Sequence, residues 1–507
     1  MKISTFTLNK LAYIYVSIPL FIFLLFWLKP LAAFISVIGL LFIFKKTIKN
    51  IPNSYFYVSK KILIVIFIAS FFWCLYAGIG NLSYQSPDWH TRNAIFRDLI
   101  NFSYPVKYEN GSMLVYYMGM FLPGSLFAKL FLFFGEDFAF KIGNYFNLFY
   151  VILGLNIIAL QLIYLTRATK KQQLLVLFIF VFFSGVDIFD FNLLTNFHSL
   201  HLERHGVLQY SSNTTLLFWV YNQAIITWII ATLFFKKPYK IENFGFFSIC
   251  CLFCSPLAFC GFLSYFLIIS FVCLIKSIKK NRIKYFLERI FSNTNIVSFF
   301  IFTIICLYFK SNATANSGDF EFIFKKIAET ENLSMILGIL YIYFIIFIFF
   351  EAGLYFIPLL KKYGKNLVFQ ITVLLLCTIP FFRYADTTDF CMRASIPSLF
   401  ILMIFVIKYL VQNNNKTVKL FLCIILFFGA LTPEMEFFRS FYNDIFAKKD
   451  TLIKDNIKTY NNKIEPKSCK YEISSGTDAL TNIENHCNYG SFNPKEHIFF
   501  KYLSKTK

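Results

Sequence analysis

Residues 11–28, LAYIYVSIPLFIFLLFWL, contain no charged side chain, and apolar runs of similar length recur as far as residue 436. In water each run would need burial. In a bilayer it crosses about 30 Å of hydrocarbon as one helix, with its backbone N–H and C=O groups bonded within the segment. The composition agrees: 57% of the 507 residues are hydrophobic and only 15% are charged, which excludes a soluble domain with one core. The pattern predicts an all-α polytopic membrane protein with about 11–13 transmembrane helices. Spans are expected near 11–28, 31–44, 62–80, 138–165, 172–189, 216–235, 244–255, 257–275, 294–309, 333–357, 366–382, 396–411 and 418–436. The first run is longer than the apolar part of a signal peptide and no small-residue cleavage site follows it, so it reads as a retained span.

Two stretches need a decision. The apolar run 244–275 is interrupted at Ser255-Pro256 and fits two short segments better than one. Residues 112–134 are apolar enough to cross, but counting them as a span inverts every later loop. They are expected instead to form helices on the outer surface or dipping back, broken at Pro123-Gly124.

The net charge of +22 does not point to nucleic acid, because Lys and Arg cluster in short loops between spans. Lys45, Lys46, Lys49, Lys60 and Lys61 form one such cluster; Arg167, Lys170 and Lys171, Lys236, Lys237 and Lys240, and the 276–289 loop form others. Basic loops stay cytoplasmic. The N-terminus is therefore expected inside a bacterial inner membrane, and the first long loop (81–137) and the C-terminal segment (437–507) outside. A transmembrane domain over 1–436 would precede that small extracytoplasmic segment. Acidic residues contribute little to orientation, so their placement is an independent signal. Of nineteen before the C-terminal segment, sixteen fall in outer loops or at outer span ends, so any chemistry is expected to face outward.

Cys250, Cys251, Cys254 and Cys260 resemble metal-ligand spacing but lie in an apolar run, where buried small hydrophobes are the better reading. Cys469 and Cys487 lie in the polar tail and are expected to pair in an oxidising compartment. Walker, Rossmann and HExxH motifs are absent.

Three outward segments concentrate ionisable groups. The first is SPDWHTRNAIFRDLINFSYP, 86–105, just past a span. There Asp88 could take a proton from an acceptor hydroxyl or hold a divalent cation, Mg or Mn. His90, Arg92, Asn93 and Arg97 could bind phosphate or sugar, Arg bidentately. Ordinary juxtamembrane ion pairing is the plain alternative. The second is HSLHLERH, 198–205, whose three His sit at helical spacing beside Arg204; His205 and Arg204 precede the polar entry QYSSNTT with Asn213. Metal, phosphate or simple solvent exposure would each suit it. The third is RYADTTDFCMRASIP, 383–397, where Asp389 and Arg393 are four residues apart at a helix entering the membrane. An ion pair explains them, and so does docking of a lipid phosphate.

The order of these parts resembles the C-type (GT-C) superfamily of integral membrane glycosyltransferases. It shows an acidic residue soon after an early span, a long outer loop with LVYYMGMFLPGSLFAKLFLFFG, and many spans with short inner loops. The likeness is closest to a bacterial GT-C-like group, through Asp88-Trp89 with Asn93-Ala94, YSSNTTLLFW, a mid-chain Ser-Pro and DFCMRASIP. A single Asp88 stands where such enzymes commonly carry an acidic pair, the WWDYG signature is absent, and two extra spans precede the acidic loop. The resemblance implies transfer of a sugar from a polyprenyl-phosphate carrier to a glycan or lipid acceptor outside, with Asp88 as base and Arg92, Arg204, His205 and Arg393 on the carrier phosphate. A glycan polymerase or ligase, a flippase or transporter, and a noncatalytic GT-C relative remain the alternatives.

Overall fold

The computed structural model describes residues 1–49, 51, 53–86, 88–108, 111–187, 202–203, 208–313, 315, 320–322, 342–384, 389–446, 490–491 and 493–505, without the side chains of His90 and Glu321. The polypeptide is a helical, multi-pass membrane protein. It opens with a strand, β1 (Lys2–Ser4), then α1 (Thr5–Trp27), α2 (Pro30–Lys49), β2 (Tyr55–Tyr57) and α3 (Lys60–Tyr76). The first long loop holds α4 (Trp89–Asn101), β3 (Met113–Leu114) and α5 (Leu122–Lys129). Then follow α6 (Glu136–Thr166), α7 (Gln173–Phe182), α8 (Asn213–Lys236), α9 (Phe244–Cys254), α10 (Pro256–Lys279), α11 (Ile283–Ile290) and α12 (Asn293–Lys310). After β4 (Phe320–Phe322) come α13 (Ile342–Tyr363), α14 (Leu367–Thr378), β5 (Phe382–Tyr384), α15 (Asp389–Ala394), α16 (Ile396–Gln412), α17 (Lys416–Gly429), α18 (Leu431–Phe446) and β6 (Gly490–Ser491).

Among the described residues eight helices are long and apolar enough to cross a membrane: α1, α2, α6, α8, α10, α12, α13 and the continuous α17–α18 segment. Four more are apolar but shorter, Gln173–Phe182, Ile241–Cys254, Leu367–Phe381 and Ile396–Gln412. The span expected over 172–189 is one of these, ending at Phe182 after 10 residues. A Cβ on Gly185 would overlap the Glu351 carboxylate, so only glycine lets the chain pass α13 this closely. The carbonyls left open at the end of α7 find partners at the start of α8. Asn213 Nδ2 donates to Phe180 O at 2.8 Å, Thr214 Oγ1 to Val181 O at 2.8 Å, and the Asn213 backbone N–H to Phe183 O at 3.2 Å.

The Ser255-Pro256 break is present and separates α9 from α10. The 112–134 stretch does not form a single span: it contains β3, a short 3₁₀ turn and α5. It is not broken at Pro123-Gly124 as expected. Pro123 sits in the first turn of α5, where its missing N–H has no helical partner to lose. Nor is α5 a surface helix, for Leu122, Gly124, Ser125 and Ala128 are buried, and a Cβ on Gly143 of α6 would meet Ala128 at 2.9 Å.

Burial separates the centre of the bundle from its rim. The apolar window of α8 is 94% buried, whereas those of α2 and α12 are 28% and 22% buried and leave their outer faces for lipid. Around α8, Trp73, Phe180, Trp228 and Phe400 stack edge-to-face and in parallel across α3, α7, α8 and α16. α1 and α6 lock through Tyr15 and Tyr150, whose rings stack at 4.3 Å while each hydroxyl donates to the other's carbonyl at 3.0 Å.

Three short ribbons tie distant segments together: β1 with β2, β3 with β6, and β4 with β5. They place the two ends of the chain at opposite ends of α1. The Met1 ammonium donates to Val58 O, and Thr5 N to Ser54 O, at one end. At the other, Lys29 N donates to Leu503 O and Lys505 N to Trp27 O, and Phe499 packs between Phe23 and Tyr308. The final described residues thus pack against the first long loop, through the pairing of β3 with β6. Cys469 and Cys487 lie outside the described residues.

Candidate functional site

α4 carries the first cluster. Asp88 precedes its first residue but does not act as a cap, since its backbone is helical and its side chain makes no capping bond. One turn later Arg92 meets it, with Nη2 3.2 Å from Asp88 Oδ2; the Asp88 side chain is 53% exposed and that of Arg92 only 7%. Arg92 also donates to the carbonyl of Trp219 and lies over the Trp89 ring at 5.5 Å. The Trp219 carbonyl is available because α8 leaves helical geometry at Val220 (φ −144°, ψ 37°). Arg92 Nη1 is buried with no hydrogen-bond partner among the described residues. Such a donor is costly to leave unpaired and is satisfied by an arriving acceptor.

The second cluster comes from α15. Arg393 Nη2 lies 3.1 Å from Asp389 Oδ1, and Nη1 donates to the Tyr117 hydroxyl at 3.2 Å. Tyr117 stacks on Tyr116 at 3.8 Å, and the Tyr116 backbone exchanges hydrogen bonds with the Tyr308 hydroxyl at 3.0 Å each way. Burial works against the Arg393 charge and is outweighed by Asp389, then Tyr117, Tyr116 and Asp88, which together raise its pKa. Asp88 is thus within electrostatic range of Arg393, although the two lie far apart in the sequence.

The other expected residues are placed differently. Asn93 donates to Gln85 Oε1 at 2.8 Å, and Gln85 to Gly78 O at 2.8 Å, which ties α4 to the turn after α3. Arg97 lies over the Phe140 ring of α6 at 4.2 Å. Asn213 is 3% exposed and joins α8 to α7, with Met403 Sδ of α16 at 3.2 Å from the same amide nitrogen. The His90 side chain, Arg204, His205 and the rest of the 198–205 run lie outside the described residues, except Leu202 and Glu203. That carboxylate is buried and accepts from Ser212 N at 2.8 Å and Thr215 Oγ1 at 2.5 Å, fixing the start of α8.

Three contributors escape a linear reading. Tyr117 looks like an interfacial aromatic, and only its neighbour Tyr116 hints at more. Trp219 sits inside a uniformly apolar helix: its carbonyl takes Arg92 and its indole N–H donates to Glu436 Oε2 at 3.3 Å. Glu436 is paired in turn with Arg439, whose guanidinium covers the Trp219 ring at 4.9 Å. The i, i+3 spacing of Glu436 and Arg439 was the available signal.

Asp98, on the same helix as Asp88, is fully buried. Burial pushes its carboxyl up to about 7, against the lowering effect of the Tyr108 hydroxyl that donates to Oδ2 at 2.7 Å.

A divalent cation at Asp88 does not fit this arrangement. The carboxylate is bonded to one guanidinium and acts on a second, and among the described residues no group of three or more His, Cys, Asp or Glu gathers to complete a shell. The half-exposed Asp88 carboxylate is instead held by the largely buried Arg92. Searches against family models, curated proteins and solved structures find no match to this chain.

Proposed function

We propose that the chain is a GT-C-type glycosyltransferase of the bacterial inner membrane, moving a sugar from a polyprenyl-phosphate-type carrier to a cell-surface glycan or lipid acceptor at the outer face. The observation that carries this reading is the Asp88–Arg92 ion pair, whose carboxylate is also within electrostatic range of Arg393. In it, Asp88 accepts the acceptor hydroxyl proton as that oxygen attacks the anomeric carbon. The bond from this carbon to the carrier phosphate breaks in the same inverting displacement. The departing phosphate keeps the electron pair and is held by Arg393 and by the unpartnered Nη1 of Arg92. Arg204 and His205 remain candidates for further phosphate contact. The test supplies the purified protein in nanodiscs with radiolabelled polyprenyl-monophosphate and polyprenyl-diphosphate sugars and measures released carrier. Acceptor-dependent release supports the reading; intact donor throughout contradicts it.

A flippase or transporter of the lipid-linked glycan is favoured by one observation: Glu351, in the π-turn Phe349–Gly353 of α13, is only 3% exposed within the bundle. Movement of intact donor between leaflets, abolished by Glu351→Gln, would select that reading.

A further inference from the structure

At the end of the bundle opposite the Asp88 cluster, a cavity of about 920 Å³ opens between β2 and the ends of α6, α8 and α16. Its cations are Arg167, Lys170, Lys236 and Lys408, and among the described residues no Asp or Glu lines it. Each of the first three helices to end here explains part of this. The C-terminal ends of α6, α8 and α16 carry partial negative charge, which steadies lysines and arginines placed there. That partial charge is smaller than the four full charges it faces, so the cavity stays positive.

The side chains are held apart from neutralising partners. Lys236 Nζ is buried with no hydrogen-bond partner among the described residues and sits over the Tyr164 ring at 4.7 Å. Lys408 Nζ lies over the Phe235 ring at 5.8 Å, within electrostatic range of Arg167 and Lys362. Arg167 is fixed by its left-handed backbone (φ 54°) as the residue that closes α6, with its N–H bonded to Tyr164 O. At the rim, Tyr55 and Tyr57 are 51% and 63% exposed, the placement of aromatic residues at a membrane–water boundary.

From this geometry we infer a second anion site, one that binds a phosphate group through Arg167, Lys170, Lys236 and Lys408. Phosphate supplies several acceptor oxygens for cations that have no carboxylate among them, and its binding would satisfy Lys236. The inference does not depend on the glycosyl-transfer reading, because the site lies at the other end of the bundle. The phosphate can arrive as the head group of an anionic phospholipid or as a free ion, and the two are separable.

The experiment uses the full-length protein, delipidated in detergent. Two probes are titrated: nanodiscs of zwitterionic lipid with and without phosphatidylglycerol, and inorganic pyrophosphate alone. The double variant Arg167→Gln/Lys408→Gln is compared with Lys279→Gln/Lys280→Gln, which removes the same charge from exposed positions on the same side. At about 1 kcal/mol per cation, the first should weaken binding by roughly 10- to 30-fold and the second by less than about twofold. Arg167→Lys/Lys408→Arg keeps both charges and should bind as wild type, which separates loss of charge from loss of fold. Selective loss in the lipid arm assigns a head group, and selective loss with pyrophosphate alone assigns a free phosphate. Equal behaviour of the two glutamine variants with both probes overturns the site.

Discussion

The Tyr117 hydroxyl accepts a hydrogen bond from Arg393 Nη1 at 3.2 Å, joining the first long loop to a helix 276 residues further along the chain. This contact holds the Asp389–Arg393 pair against the first long loop, which also carries the Asp88–Arg92 pair. A hydrogen bond to a charged group contributes about 1.5–3 kcal/mol when its partner is buried. Tyr117→Phe should therefore lower the melting temperature of the purified protein measurably and lower kcat/KM by about tenfold or more. In a cycle with Arg393→Ala the two losses should not add, because both remove one interaction. Strict additivity would show that Tyr117 does not act through Arg393.

Gly261 of α10 offers a way to move Arg393 without changing a charge. A Cβ there would come within 2.2 Å of the Ala394 carbonyl, so Gly261→Ala must push on the α15 helix. The expected cost is about 1–3 kcal/mol of stability, as for other overpacked sites. Donor affinity should fall more than melting temperature implies. Wild-type donor binding in a folded Gly261→Ala protein would mean that the position of α15 is unimportant.

Asp98 makes stability depend on pH. Its carboxyl is raised from 3.8 to about 7, so between these values the folded state binds a proton that the unfolded state has released. Stability from this group is fully present below the unfolded value and is lost as pH rises through about 7, by at most about 4 kcal/mol. Asn mimics the protonated acid and still accepts from Tyr108. Asp98→Asn should raise the melting temperature at pH 8 and change it little at pH 4. An equal shift at both pH values would show that Asp98 does not titrate in this range.

The shared face of the first loop and the chain end can be read by labelling. In a chain whose native cysteines give no signal, Leu82→Cys and Lys495→Cys should both react with an impermeant maleimide on intact spheroplasts. Lys280→Cys should react only after permeabilisation. Labelling of Lys280→Cys alone would invert the orientation, and opposite behaviour at 82 and 495 would contradict the docking of residues 490–505.

What could be read along the chain was what is local. Apolar runs marked the helices, and Ser255-Pro256 marked the α9–α10 break, because proline cannot donate the next helical bond. Asp88–Arg92 and Asp389–Arg393 were legible as i, i+4 pairs. Their convergence was not, since contacts between remote segments leave no periodicity. Val220 carries no breaker residue, so the exposed Trp219 carbonyl could not be anticipated. Asn213 has the composition of a binding residue, but the open end of α7 uses its amide. The close approach of Gly185 to Glu351 was not legible either, since the two lie far apart along the chain.

The central claim rests on Asp88 as the base, and one comparison tests it most directly. Asp88→Asn keeps the size and polarity of the side chain but removes proton acceptance. Asp137→Asn makes the same change at an exposed position in the first turn of α6. With purified proteins and a radiolabelled polyprenyl-phosphate sugar, Asp88→Asn should lower the transfer rate by about 10²–10⁴-fold with donor binding within about twofold of wild type. Asp137→Asn should leave both unchanged. Equal transfer by the two variants would contradict the account and leave the Asp88 cluster as a polar cap on the membrane-spanning bundle.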